Sequence, residues 1–479
     1  MQQTPASQTL ATDGVKDLHE DLGEISLLLS SLALSLKPKK LPSIHSQLEI
    51  LTISEEISDS SYLRKLKRES KLLFRNLTSL AGSLLTSDSF QSPSFFHSVF
   101  SEAGSQEGKI IYAMNDYKRD YHLDGIPYEQ KFKKEYIDCP FKFPIHMFLV
   151  NSGMAALSTI LTFLHCEEKL DRPVLVGENT YFQSKELIVK TYDKNAILVR
   201  EDQTAEICLA IATLKPSVLF LDSLTNTNAT LAPNLTTIID FAIKTVKEDL
   251  AIVIDNTCLS LYFQPMRQVF LKAKHVRIIV YESLNKYHEF GTDRVTAGII
   301  WAYGKDTEKL FEYRKNCGTN ISDTAVYALP VPSRKLLTSR LARFERNAKF
   351  LTDRISQSIK VHTLEHKISI QYPGRPTHPS YTHMRNLSFH GSFFCIELKN
   401  PYDKISIFHT LLRRVLSEAK KINLPLTAGT SFGFDTTRIY VVASKTHYAK
   451  PFIRISVGTE DREEIERIAV VLEKSLASL

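Results

Sequence analysis

From about Ile145 onward, short apolar runs alternate with stretches of helical periodicity. The runs are IHMFLV, PVLVG, AILV, SVLFL, LAIVID, VRIIVY and AGIIW. They are rich in β-branched side chains and lack apolar–polar alternation, the pattern of strands buried on both faces. This predicts an α/β fold, a mostly parallel sheet with helices on either side, whose ligands sit beyond the carboxyl ends of the strands. A long helical stretch, Ser333–Ile355, then leads into a region that mixes the strands SFFCIEL and IYVVAS with a final helix, REEIERIAVVLEKSLASL. That region predicts a smaller α+β domain. The first hundred residues are rich in Ser and Leu and poor in Gly. There Leu18, Leu22, Ile25, Leu29 and Leu32 recur at three- and four-residue spacing, laying one apolar stripe along a helix. A second helix is predicted over SYLRKLKRESKLLFRNLTSLAGSLL, and Ser87–Phe96 is expected to be a linker. The expected organisation is a helical N-terminal extension (1–105), a large domain (106–340) and a small C-terminal domain (341–479).

Composition narrows the class. With 479 residues the chain exceeds one ordinary core, and 43% hydrophobic and 24% charged residues suit a soluble globular protein. A net charge of +7 is thin over this length, and no stripe of Lys and Arg interleaved with aromatics implies nucleic acid. The six cysteines are scattered, without a CxxC pair or clustered histidines, so neither a disulfide framework nor a metal site is expected. The apolar run Leu22–Leu36 contains serines and a glutamate, is too short to span a bilayer and lacks a basic leader. A cytoplasmic protein without a membrane partner is the expectation.

The chemistry gathers just after the apolar runs. After FLV, Asn151-Ser152-Gly153-Met154 opens a helix whose free N–H groups can cradle a phosphate; an ordinary Ser N-cap is the structural alternative. Glu178-Asn179-Thr180-Tyr181 puts an aromatic ring near the same rim, for packing or for a ligand. Asp222-Ser223-Leu224-Thr225-Asn226 and Asp255-Asn256-Thr257 each close an apolar strand with a carboxylate that must find a partner. A protonated ring nitrogen would serve, as would an Arg or a helix N-terminus. Last comes Ser283-Leu284-Asn285-Lys286. An anion cradle, a buried carboxylate and a lysine at neighbouring strand ends are the parts of a pyridoxal phosphate (PLP) site, with the lysine as Schiff base.

In order and spacing, NSGMAA, DSLTN, IDNT, SLNKYHEFGTD, YPGRPTHP, the SRLARFERNAKFL helix and FIRISVGTED resemble the cystathionine γ-synthase-like, or Cys/Met-metabolism, PLP-dependent enzymes of fold type I. The resemblance runs from about Asp116 to the C-terminus. It implies that Lys286 holds the cofactor and moves protons, that Tyr181 stacks on its ring, and that these two are the catalytic residues. Asp255 would pair with the pyridine nitrogen and Asn226 would reach the 3-hydroxyl. Gly153, Met154 and Ser283 would bind the phosphate, with Asn285 standing where the family usually has threonine, and Thr257 would complete the cofactor set. Arg454 would grip the substrate carboxylate beside Thr427. Tyr117 and Arg119 resemble a Tyr-x-Arg element that contacts the phosphate of a neighbouring subunit, which implies a homodimer or homotetramer with shared active sites.

Around the substrate the sequence departs from the family. Glu282 stands where histidine is common, Phe182 and Gln183 replace glycines, and Thr427–Gly433 replaces a serine-leucine-glycine-glycine loop. The expected activity is γ-elimination or γ-replacement on a homoserine-, homocysteine- or methionine-related amino acid. The alternatives are a β-lyase, an aminotransferase of the same fold, or a non-catalytic binding protein.

Overall fold

The computed structural model describes residues 5–36, 41–86, 122, 124–139, 144–167, 172–269, 274–442 and 450–479. Tyr117, Arg119 and the expected linker Ser87–Phe96 lie outside the described residues. Each of the seven apolar runs forms a strand: β1 (His146–Val150), β2 (Val174–Gly177), β3 (Ala196–Val199), β4 (Val218–Asp222), β5 (Leu250–Asp255), β6 (Val276–Ser283) and β7 (Gly298–Tyr303). They build one sheet in the order β1-β7-β6-β5-β4-β2-β3, in which only β7 runs antiparallel to its neighbours.

The missing alternation has a direct cause. Along β5, Ile252 and Ile254 enter the core on one face of the sheet while Ala251 and Val253 enter the core on the other. β4 repeats this, with Leu219 and Leu221 on one side and Val218 and Phe220 on the other. The helix Gly153–Glu167 covers the second face with Ala156, Leu157, Ile160 and Leu164.

A second sheet, in the order β10-β11-β12-β9-β8, is formed by β8 (Ile368–Gln371), β9 (Phe393–Leu398), β10 (Thr427–Ala428), β11 (Arg438–Val442) and β12 (Phe452–Ser456). The helices Ile405–Lys421 and Arg462–Leu476 share its core. Asp461 caps the last helix by accepting from the N–H groups of Glu463 (3.0 Å) and Glu464 (3.1 Å). The long helix Arg334–Val361 belongs to both cores. Leu337, Leu341 and Phe344 pack with the large sheet, and Ala348, Leu351 and Ile355 with the small one.

Among the described residues, three α-helices lie between Pro5 and Thr86: α1 (Pro5–Ser35), α2 (Pro42–Ile53) and α3 (Ser60–Thr86). The stripe Leu18, Leu22, Ile25, Leu29 and Leu32 is buried, and it is continuous with the core on the first face of the large sheet. In α3, Leu63, Leu66, Phe74, Leu77 and Ala81 form the matching face. At Gly82 a side chain would meet the Thr324 Cα at 2.9 Å, so α3 lies backbone against backbone on the helix Asp323–Ala328. Helix α2 and the short strands β8, β10 and β12 are additions that the apolar pattern does not predict. Among the described residues, no helix is long and apolar enough to cross a membrane, and no group of His, Cys, Asp and Glu is arranged to hold a metal ion.

Candidate active site

Parallel register sets Asp222 of β4 opposite Asp255 of β5, and Asp255 opposite Tyr281 of β6. Two carboxylates thus stand side by side at the carboxyl end of the sheet. Asp255 Oδ1 accepts from the Thr257 N–H at 3.0 Å, and the hydroxyls of Thr257 and Tyr281 also bond its carboxylate. Burial raises the Asp255 carboxyl despite those donors. Asp222 is raised well above the usual carboxylate range by burial and by Asp255, although it accepts from the Tyr181 N–H at 2.9 Å. A desolvated pair of this kind favours a cation opposite it, or one retained proton.

The turn after β6 carries Lys286 between two anchors, Leu284 and Tyr287, both fully buried. The Tyr287 hydroxyl is 3.0 Å from Ser392 Oγ and donates to the Cys258 carbonyl at 3.3 Å. Lys286 Nζ lies 5.8 Å from the centre of the Phe432 ring. Burial first, with Arg454 adding to it, pulls the Lys286 ammonium below its ordinary value, against the opposing pull of Cys258, Asp293 and Asp255. A lysine so placed is uncharged more often than a solvated one, so its amine is more available as a nucleophile and proton acceptor.

On the other side of the turn, Ser152 does cap its helix, with Oγ accepting from the Ala155 N–H at 3.0 Å. The cap leaves the amides of Gly153 and Met154 at the helix start, where no preceding carbonyl of the helix reaches them. A Cβ at Gly153 would meet Ser283 Cβ at 2.9 Å, and one at Gly298 would meet the Gly153 nitrogen at 2.8 Å. Gly153 thus sits closely between Ser283 and β7, a cradle that a side chain would fill. The Ser283 hydroxyl donates to Asn285 Oδ1, and the Ser283 N–H donates to Thr257 Oγ1 at 3.0 Å. Gly153, Ser283, Asn285 and Thr257 therefore form one connected cluster.

Arg454 of β12 closes the site from the small sheet. It is 7% exposed, and its Nη1 donates to Asn226 Oδ1 at 2.6 Å while its buried Nε has no partner among the described residues. Asn226 thus engages the arginine. Tyr181 starts the helix Phe182–Tyr192, and its hydroxyl donates to Gln183 Oε1 at 2.8 Å. Thr427 is exposed on the edge strand β10, two strands from Arg454; Phe432 and Gly433, later in the same loop, are the residues that meet Lys286. Glu282 lies under the site, with Oε2 3.0 Å from His288 Nε2 and Oε1 accepting from Asn256 Nδ2 at 3.1 Å.

Sequence reasoning passed over Cys258, Tyr281 and Phe432. Cys258 directly follows Asp255-Asn256-Thr257, and Tyr281 ends an apolar run, so chain position alone pointed to both. The lysine, desolvated carboxylates, glycine cradle and half-satisfied arginine together fit a PLP group. Its ring nitrogen would face Asp255, its phosphate the Gly153–Ser283 cradle, and its carbonyl carbon Lys286.

Known proteins identify the fold and the family. Cystathionine gamma synthase from Xanthomonas oryzae pv. oryzae, solved with aminoacrylate and cysteine, superposes with a TM-score of 0.54 at 20% identity, covering 70% of this chain and 82% of that one. MetB from Corynebacterium glutamicum gives a TM-score of 0.61 at 18% identity over 83% of this chain and 98% of that one. CalE6, a methionine gamma lyase from Micromonospora echinospora, gives 0.54 at 20% over 76% and 88%. At such identities these likenesses establish the fold. The bifunctional enzyme flvA of Aspergillus flavus is 23% identical over 335 residues, which are 67% of this chain and 38% of that protein, so the chain spans well under half of that relative. The family model for Cys/Met metabolism PLP-dependent enzymes matches residues 139–469, and the chain belongs to that family.

Proposed function

We propose that the chain catalyses γ-elimination or γ-replacement on an amino acid related to homoserine, homocysteine or methionine. The observation that carries this reading is the convergence of the half-buried Lys286 with Asp255 and with Arg454, from two different sheets. Bound there, PLP supplies an electron sink for the negative charge left when a substrate bond to the α-carbon breaks. Arg454 binds the substrate carboxylate through Nε and Nη2, while Asn226 holds Nη1 and so orients the guanidinium. Lys286, with its ammonium destabilised by burial, takes a proton at Nζ from the α-carbon and can return it elsewhere. Asp255 stays anionic when a cationic ring nitrogen replaces the solvation it has lost. Phe432 shields the Lys286 amine from water.

The solved γ-synthase and γ-lyase relatives support a reaction at the γ-carbon. The sequence element Tyr117–Arg119 supports a homodimer or homotetramer with shared sites, and the scattered, unpaired cysteines support a reducing, cytoplasmic compartment. Of the sites expected from sequence, Lys286, Asp255, Arg454, Asn226, Gly153, Ser283 and Tyr181 carry the proposal.

The purified protein mixed with PLP should develop a visible absorbance band, and borohydride followed by peptide mass spectrometry should find the adduct on Lys286. Lys286→Ala should abolish both the band and turnover while melting as the parent does. An amino acid with a γ-leaving group should give a 2-oxo acid and ammonia, or a replacement product. Amino-group exchange alone would establish an aminotransferase, and release only of β-substituents a β-lyase. Absence of any adduct would refute the proposal.

A further inference from the structure

The loop that meets Lys286 is tied to the N-terminal helices through a closed square of charges in which Arg340 is buried and Glu24, Lys71 and Asp435 are half-buried. Gly433 sits at φ +90°, and a Cβ there would lie 2.5 Å from the Lys286 carbonyl carbon, so the loop backbone is pressed directly on the lysine's own backbone. Phe432, ahead of it, is buried against Tyr287 (5.4 Å between ring centres) and Phe393 (5.2 Å). The Gly433 carbonyl accepts from Arg340 Nη2 at 3.0 Å. The same nitrogen lies 2.6 Å from Asp435 Oδ1, and Asp435 Oδ2 is 3.5 Å from Lys71 Nζ. Lys71 is in turn 3.7 Å from Glu24 Oε1, which returns to Arg340 Nη1 at 3.4 Å.

Two corners of the square, Glu24 of α1 and Lys71 of α3, come from the N-terminal helices. Arg340 comes from the long shared helix, and Asp435 from the loop. Two charges of each sign balance around the buried Arg340, and removing one would leave another uncompensated. The far end of the Lys286 turn closes on the same group, since a Cβ at Gly291 would lie 2.7 Å from both Arg340 Nη2 and Asp435 Oδ1. Neighbouring pairs hold the helices in place: Lys67 reaches Asp21 at 2.8 Å and the Thr459 carbonyl at 3.3 Å, and Arg64 reaches Asp461 at 2.8 Å.

We propose that Glu24, Lys71 and Arg340 are positioning residues through which the N-terminal helices hold Phe432 and Gly433 against Lys286. The consequence for the reaction rests on Lys286 being the cofactor lysine; the mechanical link does not. Loosening Glu24 or Lys71 frees Arg340 and Asp435 to rearrange, and the Phe432 wall of the site moves with them.

The test is amide hydrogen exchange on the full chain with PLP present. It compares the parent, Glu24→Gln, the charge-balanced double variant Glu24→Gln/Lys71→Gln, and Lys65→Gln on the exposed side of α3 as control. In the first two variants, exchange over residues 429–435 and 284–291 should quicken about tenfold while α1 and α3 stay protected. Lys65→Gln should match the parent. In the same variants KM should rise more than kcat falls, the pH at which the cofactor absorbance changes should move, and Glu24→Asp should restore much of both. The double variant removes one charge of each sign, so it keeps the test open if Glu24→Gln alone does not fold. Parental exchange over 429–435 in a folded double variant would overturn the proposal. So would exchange that quickens uniformly along the chain. If the parent takes up no PLP, the functional reading fails, and the exchange result still decides the positioning.

Discussion

Gly153 shows how little room the candidate cofactor site leaves. Its missing side chain brings the start of a helix against Ser283, so Gly153→Ala adds a methyl that Ser283 must yield to. Overpacking of this kind costs about 1–3 kcal/mol. Because Ala also favours the helix by up to about 1 kcal/mol, the fold should lose little. Titration with PLP should show weaker binding by about tenfold or more, following the same energies, and an unchanged dissociation constant would separate Gly153 from the phosphate cradle. Lys286 and Asp255 stood out as candidates because a charged residue closing an apolar strand has few ordinary explanations, whereas Arg454 was reached only through the family resemblance. The Asn226–Arg454 bond was not legible, since 228 residues separate the partners and only the packing of one sheet on the other joins them. The approach of Phe432 to Lys286 was hidden for the same reason, although the loop that carries it stood out as a departure.

At the scale of elements, the seven strands of the large sheet were legible because burial on both faces leaves unbroken apolar runs. The same criterion misses β12, in which Arg454 interrupts the run, and β10, which has two residues. Helix α2 was missed because, among its described side chains, the buried apolar ones are few, Ile44 and Leu51. The contact between α3 and the helix Asp323–Ala328 depends on Gly82, where a methyl would strike the Thr324 backbone, an obstacle that cannot rotate away. Gly82→Ala should therefore destabilise the protein by about 1–3 kcal/mol despite the better helix propensity of alanine. A urea titration would record the loss as a lower midpoint, and a raised midpoint would mean that the helices part easily.

For the molecule as a whole, buried carboxylates set a pH dependence. Burial raises the carboxyls of Glu289 and Glu460 from 4.5 to about 7 in the fold, although Val295, Arg294 and Thr437 donate backbone N–H groups to them. A raised carboxyl keeps its proton in the folded state after the unfolded chain has lost its own. Stability is thus greatest below about pH 4.5 as far as these two groups are concerned. It falls as pH rises toward about 7, by up to about 1.4 kcal/mol per pH unit for each group. Glu289→Gln should flatten that slope and gain relative stability above pH 7. Melting curves of parent and variant between pH 5 and pH 8 would check this, and parallel curves would place the proton elsewhere.

The helix Arg334–Val361 has a consequence for dissecting this protein. Because Phe344 serves the large sheet and Ala348, one turn later, the small one, a cut within this helix would not free two finished halves. A fragment ending near Asn347 would bare the Phe344 side of the helix's first half to its own sheet only, and its complement would begin with a greasy stub. Mixed together, the two fragments should recombine through that helix, so the molecule lends itself to split-protein complementation rather than to separation into parts.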